Sequence, residues 1–314
     1  MILQTGSRTD IPAFYADWFF HRIRAGFVDV RNPFAPVQVT RYRIDPEVVD
    51  ALCFCSKNPA PLLPEIHLLD PFRIVMMVTI TPYGRDIEPF VPPAEDVMRT
   101  FGELSSYVGK RAMLWRYDPV IVTDRYSVAF HRQAFARMAN ALSPYTDQAV
   151  VSFVDLYEKT KRNFPGIREV TGSEQEELVA SFARTAGRCG MQIHLCHEEK
   201  SLVREGVDAD GCFSKAVIER AIGEKLLVPR MNFARQGCRC LLSADIGAYN
   251  TCGHGCRYCY ANADERSVRE NQKKHDSAST MLVGHLHPED RVTPARQKSW
   301  IDGQLSLFDD WQGT

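Results

Sequence analysis

No run of eighteen apolar residues occurs in this 314-residue chain, so no membrane-spanning helix is expected. Charge of one sign is not in excess either. Net charge is −1, so no global basic field announces a nucleic acid partner, and only a local patch could serve one. The opening residues, MILQTGSRTD, lack a basic segment followed by a long apolar run, so no signal peptide is expected. Internal repeats and low-complexity tracts do not stand out, which argues against a repeat architecture. What remains is a chain of ordinary apolar content, long enough for one large domain or two small ones and for a sizeable core. A cytoplasmic location is expected, where ten cysteines point to metal or redox chemistry more than to disulfides.

Three of those cysteines, Cys252, Cys256 and Cys259, lie in the run TCGHGCRYCYAN with the spacing C-x3-C-x2-C. Three thiolates on one tight loop can hold three irons of a [4Fe–4S] cluster and leave the fourth iron open. Gly253 and Gly255 permit tight turns close to such a cluster. The loop resembles that of radical S-adenosylmethionine (SAM) enzymes, in which Tyr258 would be a typical aromatic between the last two cysteines. That resemblance implies SAM bound at the open iron and cleaved to a 5′-deoxyadenosyl radical by an electron from the cluster, with an electron donor as a partner. A zinc knuckle is the rival, because zinc also takes Cys and His and His254 lies inside the loop.

The rest of the chain alternates. Short apolar runs (ILQTG, ALCFCS, RIVMMVTIT, AMLWRY, AVVSFVD, MQIHLC) are separated for the most part by amphipathic segments such as PAEDVMRTFGELSSYVG and VAFHRQAFARMANAL. Strands buried on both faces that alternate with helices give a parallel sheet. The expected fold is α/β, a full or partial parallel (β/α) barrel over residues 1–265, with the iron–sulfur loop at its C-terminal end. Residues 266–314 read as a polar linker and tail. Ser173 with Glu176 resembles a capping box ahead of one helix.

Most strands end in polar residues, and in a barrel those ends form one rim. Ser7, Arg8 and Asp10 follow the first strand, and Ser56, Lys57 and Asn58 the second; Thr81 and Tyr83 follow the third. Arg116, Tyr117 and Asp118 end the fourth, Asp155, Tyr157 and Lys161 the fifth, and His194, His197 and Glu198 the sixth. Arg8, Asp10, Lys57 and Asn58 are the candidate cofactor-binding set. Arg116, Asp118, Asp155 and Tyr157 are the candidate catalytic set. Arg8, Lys57 and Arg116 could hold phosphate or carboxylate groups, and Asp118 and Asp155 could act as acid–base groups. Tyr83, Tyr117 or Tyr157 could return a hydrogen atom.

The motifs SRTDIPAFY, VRNPF, SKNPAP, TPYGRDIEP, WRYDPV, SFVDLYEKTKRN and SADIGAYNTCGHGCRYCYAN together resemble domain-of-unknown-function family 1848 over residues 1–265. The resemblance implies a C-terminal cysteine cluster like that of radical SAM enzymes and names no substrate. Cys55 stands where an aromatic is common in that family. In ordinary radical SAM proteins the cysteine loop follows the first strand. Here it follows the last apolar stretch, CLLSADIGAYN, which a circularly permuted barrel would reconcile. No reliable Gly-Gly-Glu motif for the SAM amine is found.

Two further groups stand out. Cys196, Cys212, Cys238 and Cys240 could fill a second [4Fe–4S] cluster or a zinc site, with buried free thiols as the alternative. Cys53 and Cys189 read as core packing. The tail carries QLSLF, in which Gln304, Leu305, Leu307 and Phe308 resemble the short peptide that binds the bacterial DNA sliding clamp. These features give two expectations: a radical SAM enzyme acting on nucleic acid in DNA repair or modification, or a non-catalytic metal-binding adaptor, zinc or closed iron–sulfur, tethered to the clamp.

Overall fold

The structure, a computed structural model, describes residues 1–229, 239–241 and 244–303. Its strands are β1 (Ile2–Gln4), β2 (Phe27–Arg31), β3 (Gln38–Arg43), β4 (Ala51–Ser56), β5 (Ile74–Thr79), β6 (Met113–Val120), β7 (Gln148–Phe153), β8 (Gln192–Leu195), β9 (Val207–Asp208), β10 (Ala244–Asp245) and β11 (Arg291–Pro294). Eight of these form one sheet in the order β10-β1-β4-β5-β6-β7-β8-β9, and every neighbouring pair is parallel. The six apolar runs of the sequence are β1, β4, β5, β6, β7 and β8. Every residue of β5 and of β7 is buried, which explains runs of unbroken apolar character in place of alternation.

The order is linear, so hydrogen bonding leaves a seam between β10 and β9 among the described residues. The fold is thus a partial barrel, and the last strand of the main sheet lies beside the first. Parallel neighbours need crossovers. Helices α1 (Ile11–Phe14), α2 (Ala16–Ala25), α3 (Ala94–Val108), α4 (Val128–Leu142), α5 (Glu158–Asn163), α6 (Gly172–Arg188), α7 (Lys215–Ile222) and α8 (Glu265–Lys273) complete the fold. Helices α3, α4 and α6 supply the crossovers from β5 to β8. Phe135 of α4 stacks at 4.1 Å on Phe182 of α6 and at 4.8 Å on Trp115 of β6, so the helix layer is keyed to the sheet by aromatic rings.

The capping box of α6 lies two residues earlier than the sequence reading. The Thr171 hydroxyl accepts from the Glu174 backbone, and Glu174 accepts from the Thr171 backbone. Both Ser173 and Thr171 have an acid three residues on, and the helix starts at the first pair.

A larger correction concerns the segment read as an exposed linker. Helix α8 is largely exposed, but the chain after it packs on the body. Met281, Leu282 and Trp300 are buried, and β11 pairs with β3, which itself forms a hairpin with β2. Trp18 donates to Ser279 O at 3.0 Å, and the Trp300 backbone donates to Asp50 at 2.8 Å. A few apolar anchors in a polar stretch suffice to dock it. The peptide Gln304–Phe308, including Leu305 and Leu307, lies outside the described residues.

His131 of α4 is fully buried, accepts from or donates to Tyr117 Oη at 2.8 Å and faces Ile121 O at 2.9 Å. The carbonyl can only accept, so Nε2 carries the proton and Nδ1 accepts from Tyr117. Burial pulls its pKa from 6.5 down to about 4. Between these values the unfolded chain binds a proton that the folded chain refuses, so stability falls as pH drops from 6.5 towards 4, by about 3 kcal/mol in all. NMR titration should find this imidazole neutral at pH 5. A midpoint at the ordinary histidine value would contradict the assignment.

Candidate metal centre and cavity

The C-terminal ends of the strands and the cysteine loop after β10 surround one cavity, which encloses about 1090 Å³ including its open mouth. Position along the strand decides which side chains reach it. Cys53 and Cys55 share one face of β4, but Cys53 is fully buried in the core whereas Cys55, nearer the C-terminal end of the strand, lines the cavity. Lys57, Arg116, Asp118, Asp155 and Tyr157 line it together with Cys252, Cys256 and Cys259.

The loop is held from several sides. Asp10, the N-cap of α1, accepts from the backbone of Ala13 at 3.1 Å and of Lys57 at 2.7 Å, from Ser56 Oγ at 2.7 Å and from His254 Nε2 at 2.8 Å. One carboxylate therefore joins the ends of β1 and β4 to the cysteine loop. The segment before α3 clasps the loop from the other side: Phe90 N donates to His254 O at 3.1 Å and Arg257 N to Ile87 O at 3.0 Å. Tyr15 Oη donates to Thr251 O at 2.7 Å, and Asn262 to Cys252 O at 2.8 Å. Close packing explains the two glycines. A Cβ on Gly253 would stand 2.8 Å from the Phe14 ring, and Gly255 has φ +67° with Phe90 3.0 Å from such a Cβ.

Charge in the wall is paired. Lys57 Nζ lies 2.8 Å from Glu88 Oε1, and Glu88 also accepts from Thr81 Oγ1 at 2.8 Å and from Tyr258 Oη. Burial opposes the Lys57 charge, but the Glu88 carboxylate offsets it, and its pKa is raised. Arg116 forms an ion pair with Asp118 and reaches Cys55 Sγ at 3.7 Å. Its Nε is nevertheless buried without a hydrogen-bond partner, whereas Asp118 Oδ2 is the oxygen that meets the guanidinium. Burial pushes Asp118 up against the pull of Arg116, and burial with Asp118 and Asp155 nearby pushes Glu198 up to about 8.

Burial also pushes the Cys252 and Cys256 thiols up, with Asp10 adding to the effect on the first and Glu88 on the second. Without a cation these sulfurs stay protonated; a metal supplies the positive charge that lets them ionise. The Ala261 backbone N–H points at Cys259 Sγ at 3.3 Å, a donor suited to a thiolate. His254, by contrast, spends Nε2 on Asp10 and turns Nδ1 towards Phe90 O at 3.5 Å, so it serves as a tie and is poorly placed to be a zinc ligand.

A second sulfur group adjoins the first. The Sγ atoms of Cys196, Cys212 and Cys240 all lie within 4.8 Å of one another, close enough to hold a metal ion, and Cys196 lines the same cavity. Cys238 lies outside the described residues.

The family described as "Domain of unknown function (DUF1848)" matches residues 2–261. The chain belongs to this family. No curated protein and no solved structure matches the chain.

The cavity gathers most of the residues expected at the rim, but not all. Arg8 is outside its lining, with its guanidinium 5.7 Å from the centre of the Tyr249 ring, and Asn58 is outside it with its backbone bonded to Ser56 Oγ. Tyr117 is fully buried among Trp115, Phe135 and Phe182, and the Tyr83 hydroxyl donates to Pro119 O, so of the three candidate tyrosines Tyr157 is the one that lines the cavity. His194 pairs with Asp208 away from the cavity, and Lys161 pairs with Glu158 in solvent. Asp10 lines the cavity, yet its oxygens are used by the chain itself. Glu88 was missed, although it sits in the motif TPYGRDIEP; its partner lies 31 residues away and no periodicity links them.

Removing one member of the buried Lys57–Glu88 pair leaves a charge without compensation. Lys57→Met should cost about 3–5 kcal/mol. Adding Glu88→Gln removes the orphaned charge and keeps the acceptor for Thr81 and Tyr258, so K57M/E88Q should be more stable than K57M alone in urea unfolding. Strictly additive losses would show that the pair is not coupled.

Proposed function

We propose that this protein is a radical SAM enzyme whose [4Fe–4S] cluster is held by Cys252, Cys256 and Cys259. The observation that carries the reading is the convergence of these three thiols on a cavity at the C-terminal ends of parallel strands. Among the described residues they are not gathered as tightly as the Cys196 group. That suits a cubane, in which each thiolate takes a different iron. The strand order supports the reading further. The loop follows β10, and β10 pairs with β1, so the loop occupies the place it would have after the first strand of an unpermuted barrel.

When bound, the cluster and SAM would supply a 5′-deoxyadenosyl radical. The chain's own residues do the rest. Asp10 and Glu88 fix the loop through His254 and Tyr258. Arg116 Nε offers unfilled hydrogen-bonding capacity at the cavity wall. Tyr157 and Tyr260, with ring centres 6.0 Å apart at the mouth, provide apolar faces for a ring system.

The wall does not favour a phosphate chain, because Lys57 and Arg116 are each paired with a carboxylate and Arg8 lies outside the lining. We therefore read the reacting part of the substrate as a small uncharged or hydrogen-bonding group. Delivery to DNA would rest on the clamp-like tail peptide alone.

Anaerobically reconstituted and reduced protein is expected to convert SAM to 5′-deoxyadenosine and methionine. C252A/C256A/C259A should lose this activity entirely. Cleavage by the triple variant would overturn the ligand assignment. Iron-loaded, reduced wild type that leaves SAM intact would reject catalysis and favour the metal-binding adaptor.

A further inference from the structure

We propose that Cys196, Cys212 and Cys240 bind one thiophilic metal ion of the zinc type, and that this ion fastens the open seam of the partial barrel. The proposal is independent of the radical chemistry.

Two observations carry it. The first is spacing. Zinc–thiolate bonds of about 2.3 Å in a tetrahedron put sulfurs about 3.8 Å apart. The three Sγ atoms lie within 4.8 Å of one another, and those of Cys212 and Cys240 are 3.1 Å apart. A cubane spreads its thiolates over different irons and needs a wider set. The chain also brings the sulfurs together with little slack: Gly211, at φ +91°, puts its backbone where a Cβ would stand 3.3 Å from Cys240 Sγ, and Phe213 N approaches the same sulfur at 3.5 Å.

The second is position. The ladder of the main sheet runs from β10 to β9 without closing. Cys196 follows β8 and Cys212 follows β9, at one edge; Cys240 precedes β10, at the other. Across this gap the described chain makes the backbone hydrogen bond Leu241 N to Phe213 O at 2.8 Å. One ion bound to all three sulfurs would join the two edges where strand pairing does not. Its charge is balanced locally. Three thiolates around a divalent ion leave one negative charge, and Arg116 stands within electrostatic reach of Cys196 and Cys212. The fourth position of a tetrahedral ion is left to solvent or a further donor.

The test separates this ion from the loop. C252A/C256A/C259A, purified anaerobically, should retain about one zinc per chain. Replacing that zinc by cobalt(II) should give thiolate-to-cobalt charge-transfer absorption, and adding C196S/C212S/C240S should abolish both. Chelation of the loop variant should lower its Tm by about 5 °C or more. If the loop variant fails to fold, zinc-edge X-ray absorption on wild-type protein should show at least three sulfurs near 2.3 Å. Four irons with four sulfides at these cysteines, a Cys212–Cys240 disulfide in the anaerobic protein, or no bound metal would each overturn the proposal.

Discussion

The Asp10 carboxylate holds the site together. It accepts from Ala13, Ser56, Lys57 and His254, and so joins the first helix, the ends of two adjacent strands and the cysteine loop through one buried group. A carboxylate is unusual in meeting four donors with two oxygens at little cost in space. The loop's position above the sheet follows from this tie and from the clasp by residues 87–90, so the cavity is built by hydrogen bonds made far from one another in the chain.

Electrostatic balance is the second constraint. The cavity wall holds Lys57 with Glu88 and Arg116 with Asp118, each pair in a region where an isolated ion would be costly. For the thiols of Cys252 and Cys256 burial outweighs the surrounding charges and holds them protonated. Thiols in such surroundings ionise readily only beside a cation, which is the electrostatic basis of the proposed cluster site.

The barrel strands were legible because parallel strands buried on both faces leave unbroken apolar runs, as in RIVMMVTIT and AVVSFVD. Strands β9 and β10 have two residues each and leave no such run. That Cys252, Cys256 and Cys259 share one loop facing the cavity was legible because their spacing is local. The grouping of Cys196 with Cys212 and Cys240 could be named as a set from the sequence, but their mutual distance depends on two strands and a loop meeting at the seam. The motif TPYGRDIEP contains Glu88 but gives no hint of its role, which is defined by Lys57 and Tyr258 in distant segments. The stretch after α8 misled because its polar majority hid Met281, Leu282 and Trp300, which dock it.

The central proposal is that Cys252, Cys256 and Cys259 hold a [4Fe–4S] cluster at which SAM binds. Electron–nuclear double resonance on the reduced protein with SAM labelled with carbon-13 at its carboxylate tests it most directly. The account expects a carbon-13 coupling that requires SAM bound at the cluster and that is lost when Cys256 is replaced by alanine. A reduced cluster whose spectrum shows no coupling to bound SAM would contradict it.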